Sequence, residues 1–395
     1  MGEWIHTTLG DLLSQTGGSI KTGPFGTVLK AAEYSTAGVP VISVGEVGVG
    51  SLRVDERTPR VSEAITTRLP EYVLRHGDIV FGRKGAVDRS AWVREQEDGY
   101  FLGSDGIRVR VGDGVSSRFM SYQFRSDATR TWLGQHASGT TMLSLSQAVL
   151  ERVPVIVPGL QGQLAIAAVL GCFDDKIAAN ERLIGRADEL SWALWFEALT
   201  RGLSVRLSSL AEFVNGRAFT KGASGTGRVV VRIAELNSGI GSSTVRSDID
   251  VPDENLARPG DLLFAWSGSL TVARWYRPEA IVNQHIFKVI PRLGYPMWLV
   301  NQAVRSKLAD FKAIASGKAT TMGHIQRRHL DEFVLIPRPE AVAALDSRMS
   351  ALWSAALSAE MENLKLARTR DELLPLLMSG KVSVTDAEAI AEGAV

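Results

Sequence analysis

His324, His329 and Asp331 come nearest in this chain to a metal-binding constellation, and "FGRKG" (Phe81–Gly85) and "SGKAT" (Ser316–Thr320) come nearest to a phosphate loop. A metal site needs imidazoles that converge on one point, and a five-residue spacing does not put two of them cleanly on one helical face. They read as surface histidines. "FGRKG" lies between two strand-like runs with no helix start after it, so it lacks the row of helix-terminal amides that holds a phosphate. "SGKAT" lacks the Gly-x-x-x-x-Gly-Lys-Ser/Thr spacing, and the sequence has no Gly-x-Ser-x-Gly elbow, no His-Glu-x-x-His and no cysteine pair. No residue is therefore assigned a catalytic or metal role.

The chemistry that remains is charge and hydrogen bonding on glycine-containing loops. Lys21, Arg83, Lys84 and Arg89, with Ser138, Thr140 and Thr141, form one set. Arg217, Lys221, Ser267, Ser269, Arg274, Lys318, Thr320 and Thr321 form another. Phosphates take Lys and Arg, while base edges in the major groove take Ser, Thr, Asn, Gln and Arg. Turn glycines let backbone approach a ligand closely. Both sets have the composition of a surface that contacts double-stranded DNA.

The chain of 395 residues is too long for one ordinary core. With 45% hydrophobic and 22% charged residues it reads as globular, and no apolar run approaches the roughly 18 residues of a membrane span. Cys172 is the single cysteine and the start "MGEWIHTTLGDLL" has no secretion pattern, so a reducing cytoplasm is expected. The net charge of +1 hides an uneven distribution: residues 205–338 carry 18 basic and 11 acidic side chains, whereas residues 1–160 carry 17 of each.

Two ordered sets of matches divide the chain into halves. Thr140, Thr141 and Met142 correspond to Thr320, Thr321 and Met322, followed by Leu145 with Ile325, Leu150 with Leu330 and Glu151 with Asp331, all 180 residues apart. Upstream, "HGDIVFGRKGAVDRSAW" corresponds to "PGDLLFAWSGSLTVARW", with Gly77, Asp78, Phe81, Gly85 and Trp92 each 183 residues before its partner. Each half shows short apolar runs between Gly-containing turns, which predicts strands. After Pro158 the period changes to that of a helix, with Phe173, Ile177, Ile184, Ala187, Leu190 and Leu194 on one stripe; Leu345, Met349, Leu352, Ala356, Ala359, Leu366, Leu373 and Leu377 repeat it after Pro339. Asn180, Leu183 and Leu190 match Asn363, Leu366 and Leu373, again 183 apart. A lone Asn on an apolar seam fixes register and partner choice, so these residues are expected to pair the two helices.

The expected fold is α+β: two β-rich domains in tandem pseudo-repeat, each followed by a long helix, with the helices packed as an antiparallel coiled coil. The expected domains are 1–158 and 203–338, the expected spacer helices 159–202 and 339–380, and the expected C-terminal tail 381–395. Two other readings use the same pattern. A scaffold that joins proteins through its helices would have no DNA affinity even with partners added, and a duplicated β-rich enzyme would need a pocket of convergent titratable groups.

The duplicated order, the "SGT" and "SGK" that precede Thr-Thr-Met, the shared Asn and the terminal "LLPLLMSGKV" of Leu373–Val382 resemble the specificity (S) subunit of a Type I restriction-modification system. The resemblance covers nearly the whole chain. It implies a non-catalytic subunit whose two domains each read one half of an interrupted DNA sequence. It also implies helices that dock two methyltransferase (M) subunits, with S-adenosylmethionine bound by those partners and none by this chain. Restriction (R) subunits are further partners that it allows, and the partners would supply much of the phosphate contact. A helix of 25–30 residues would span roughly 40 Å, close to one turn of DNA.

Overall fold

The computed structural model describes residues 4–139, 142–317 and 323–393. They form two compact units, Met1–Asp175 with Leu366–Val395, and Lys176–Lys365. Compactness thus groups the chain differently from its linear order, because each unit takes one β-rich module and a stretch of both long helices.

In the first unit Ile5–Thr8 pairs antiparallel with Pro154–Val157, so the module's two ends are clasped. Between them lies an antiparallel sheet of Ser19–Thr22, Gly106–Arg110, Ile79–Gly82 and Ser90–Trp92, in that order. Ile79–Gly82 is buried along its whole length, which is why it reads as an unbroken apolar run rather than an alternating one. Val80 joins Ile42, Leu74, Ala91 and Leu102 on one face. Phe81 meets Phe124 of helix Ser117–Arg125 on the other, at 5.0 Å between ring centroids. A smaller sheet orders Arg60–Val61, Val39–Ile42 and Phe101–Leu102, the last two parallel.

The second unit repeats this plan. Leu203–Arg206 pairs antiparallel with Phe333–Ile336. The larger sheet runs Ala211–Asn215, Ile286–Pro291, Leu262–Ala265, Thr271–Arg274, and the smaller one runs Arg246–Ser247, Arg228–Val231, Ala280–Val282, Leu256–Ala257. Its parallel pair, Arg228–Val231 with Ala280–Val282, falls where the first module has its own. Equal strand order in the larger sheets, with a parallel pair in each smaller one, is the duplication read in three dimensions.

The structure gives the repeated glycines their reason. Gly77 and Gly260 have φ of 89° and 96°, and Gly85 and Gly268 have 73° and 63°, all in the left-handed region where a side chain is strained. The Asp after each first glycine closes the turn, accepting the amide of Arg75 at 2.8 Å and of Arg258 at 2.7 Å. Each then anchors a cation of the neighbouring strand, Asp78 to Arg110 in a bidentate pair and Asp261 to Lys288. "Gly-Asp" is therefore a structural device.

The first long helix is Leu160–Ala198 and the second is Pro339–Met378. At 1.5 Å per residue, 39 residues make about 58 Å. Within the region expected as the C-terminal tail, Ser383 caps a helix, Val384–Glu392, that buries Ala387 and Ala391 in the first unit. Asn180 donates to Asn363 at 2.9 Å and to Glu362 at 2.7 Å, so two residues equivalent in the repeat bond to each other. Asp174 meets Arg370. As the number falls from 180 to 174 on one helix its partner's rises from 363 to 370 on the other, and the pair is antiparallel. Leu366 and Leu373 are buried, but Leu183 and Leu190 are 45% and 47% exposed, which corrects their expected place in the seam. The ladder of the first helix steps from Asn180 by four, to Ile184, and then to buried Ala187, which leaves position 183 on the outer flank.

Asp174 holds the first unit's helical stretches to its module. It accepts from Tyr122 and Arg125, both at 2.7 Å, and pairs with Arg370. Burial alone would raise its pKa, but the charges of Arg125 and Arg370 and the bonds it accepts outweigh that and hold it at about 2. A depressed carboxyl stabilises the fold above the unfolded value near 4 and loses that contribution as pH falls towards 2. Asp174→Ala leaves the buried Arg125 guanidinium without its carboxylate and Arg370 with Asp371 alone, and is expected to cost about 3–5 kcal/mol and lower Tm by on the order of 10 °C. Thermal melts at neutral pH measure this, and an unchanged Tm would remove Asp174 from its anchoring role.

Candidate nucleic-acid interface

In the first module the loop after strand Ile79–Gly82 is tied to the segment that opens the repeated text. The amide of Leu145 donates to Arg83 O and that of Gly85 to Leu143 O, both at 2.8 Å, while Ser138 and Ser144 bond each other through their backbones. Arg83, Lys84 and Ser138 are thereby brought onto adjoining loops. Arg83 rests over the exposed Phe25 ring at 5.2 Å, and Lys21 lies over Tyr72 at 5.0 Å. Lys84, exposed, pairs with Asp105 at 3.0 Å. Arg89 is exposed at the far end of the same loop. Cations held on aromatic faces and by a half-exposed carboxylate keep their charge near the surface at little cost. Thr140 and Thr141 lie outside the described residues.

Beneath this loop pair the repeated text has a plain structural meaning. Ser146 caps helix Gln147–Glu151 by accepting from Val149, Val149 and Leu150 are buried, and the closing strand follows. In the second module Arg327–Asp331 forms a tight helical turn with Leu330 buried, and the ring of His329 accepts from the amide of Gln326 at 3.0 Å. Ser208 donates to Asp331. Two members of the supposed metal trio thus serve local structure, and no group of three or more metal-binding side chains occurs among the described residues.

The second module builds the same loop pair from different side chains. Gly268 donates to Gly323 O at 2.8 Å and Ile325 to Trp266 O at 3.1 Å, which repeats the ties of Gly85 and Leu145. Ser269 is exposed at the loop tip, but Ser267 is only 4% exposed and bridges to His324 through the backbone. Arg217 and Lys221 are exposed just beyond strand Ala211–Asn215. Lys318, Thr320 and Thr321 lie outside the described residues.

Arg274 does not belong to this surface. Its guanidinium is buried, makes a bidentate pair with Glu360 at 2.7 and 3.0 Å, and lies over Trp353 at 4.7 Å. It faces inward because strand Thr271–Arg274 alternates and Arg274 falls on a buried position. It fastens the second module to the helix Pro339–Met378.

Beside the second module's loop pair the structure also places Trp266 and the run Asn283–Gln284–His285, which the sequence reading does not single out. Trp266 corresponds to Arg83 in the repeat, and its indole donates to the Asn215 carboxamide at 2.9 Å. A signal existed: the two halves agree at Phe81 and Phe264 and at Gly85 and Gly268, and differ between them.

Two modules of one plan, each raising a differently furnished loop pair, together with an antiparallel helix pair, define a duplicated two-module fold. Residues 1–187 match the family described as "Type I restriction modification DNA specificity domain". The fold is shared with the S subunit of the Type I restriction-modification system from M. genitalium, at a TM-score of 0.57 and 14% identity over 95% of this chain and 96% of that one. The HsdS subunit from Thermoanaerobacter tengcongensis aligns over 96% of this chain and 97% of its own, with 16% identity and a TM-score of 0.37. No curated protein matches the chain. Among the described residues no helix is long and apolar enough to cross a membrane.

Proposed function

We propose that the chain is the specificity subunit of a Type I restriction-modification complex, in which each module reads one half of an interrupted duplex sequence and the long helices dock two methyltransferase subunits. The observation that carries this is the loop pair built twice on one framework with different side chains at its tips. One framework that holds two different sets of contact residues is what a two-part target requires. Leu183 and Leu190 support the docking role. They lie two helical turns apart on one side of the first helix, exposed, as an apolar anchor for another protein does. S-adenosylmethionine is held by the partner subunits, and this chain contributes position and selectivity to a reaction carried out elsewhere in the complex. The setting is the cytoplasm, with restriction subunits as further partners.

The purified chain supplied with S-adenosylmethionine is expected to transfer no methyl group to DNA. Combined with its methyltransferase partner, it should bind one duplex sequence at least about 10³-fold more tightly than unrelated DNA. Radiolabelled methyl incorporation and competition binding measure the two parts. Methyl transfer by the chain alone contradicts the reading, and a complex without sequence preference points instead to a scaffold.

A further inference from the structure

In the second module, three successive residues carry side-chain atoms that are buried without a hydrogen-bond partner among the described residues: Asn283 Oδ1, Gln284 Oε1 and His285 Nδ1. Asn255 Oδ1 joins them. An unmet buried polar atom costs about 1–3 kcal/mol, and folded proteins keep few, so four at one place call for a function. They are neighbours in space as well as in sequence. Asn255 donates to Asn215 O at 3.3 Å, Trp266 donates to the Asn215 side chain, and Asn283 bridges to Arg217. The rings of Trp266 and His285 are 5.4 Å apart.

The place is the one already marked by the loop pair. Subtracting the repeat offset of 180, these three residues correspond to Gly103, Ser104 and Asp105, where the first module sets Arg83 on Ser104 O and pairs Lys84 with Asp105. One module satisfies this site internally with charge, and the other leaves amide and imidazole atoms unmet. Asn215 and Arg217 beside it are exposed, and Gln284, His285 and Trp266 are half-buried. Gln284 has one weak tie, its Nε2 to His285 Nε2 at 3.3 Å, so a rotamer change brings its carboxamide to the surface.

Resting on the reading of the chain as a duplex reader, we propose that Gln284 and His285, seated against Trp266, are the base-reading contact of the second module and that Gln284 selects adenine. A carboxamide presents an acceptor and a donor side by side, which matches the N6 amino group and N7 of adenine in the major groove. The unmet Oε1 is the acceptor for that amino group.

The test uses the full chain in complex with its methyltransferase subunit and a randomised duplex library, comparing wild type with Gln284→Leu, Gln284→Glu and His285→Ala, each first shown by thermal melting to be folded. Gln284→Leu is expected to lose adenine preference at one position of one half-site by about ten- to a hundredfold. Gln284→Glu, an acceptor only, should move that position towards cytosine. The other half-site and the gap should stay unchanged. Folded variants at both residues that select the wild-type motif with wild-type base ratios overturn this inference alone, and so does a change in both half-sites together. A wild-type complex that selects no motif instead overturns the functional reading beneath it.

Discussion

Cells that express a chimera carrying residues 9–153 from a related specificity subunit are expected to methylate a sequence in which one half-site is exchanged while the other half-site and the gap are kept. The boundaries follow from the structure. Ile5–Thr8 and Pro154–Val157 clasp the module's ends, so a graft between them replaces both sheets and the loop pair and leaves the clasp and Asp174 in place. The strand order of the module is self-contained, since every partner of its sheet strands lies within those residues apart from the clasp itself. Genome-wide mapping of methylated adenines reads the outcome. A simultaneous change in both half-sites would mean that the modules do not read independently, because the second module's own loops are untouched by the graft. An unchanged motif would place recognition outside the grafted residues.

What could be read from the sequence was what the duplication stated twice. Gly77 and Gly260, Asp78 and Asp261, and Phe81 and Phe264 hold the framework, and a fixed offset exposes them without knowledge of contacts. Asn180 and Asn363 could be matched because a polar residue interrupts each apolar stripe. Leu183 and Leu190 failed for a geometric reason. A helical seam advances by three or four residues, so positions three and four beyond Asn180 both fit the period, and only packing selects Ile184 over Leu183. Arg274 looked like a surface cation because its partner Glu360 is 86 residues away and no local pattern announces a buried ion pair. Trp266 and Asn283–His285 carry no local pattern that joins them: they lie 17 or more residues apart in the sequence and meet only in the fold. In this chain the informative residues are those where the repeat disagrees with itself inside a matching frame.

The claim at the centre of this account is that two readers address two half-sites at a spacing set by the helix pair, and lengthening that pair tests it most directly. Because the helices are antiparallel, an insertion in one alone is opposed by the other, so seven residues are added to both, after Ala179 and after Lys365. Each insertion lies between the Asn180–Asn363 contact and the Asp174–Arg370 contact. A full heptad keeps the seam in phase and adds about 10 Å. DNA rises about 3.4 Å per base pair, so methylation mapping is predicted to show both half-sites unchanged and the gap longer by about three base pairs. A fully active protein with the original gap, or one whose half-sites change with the insertion, would contradict it.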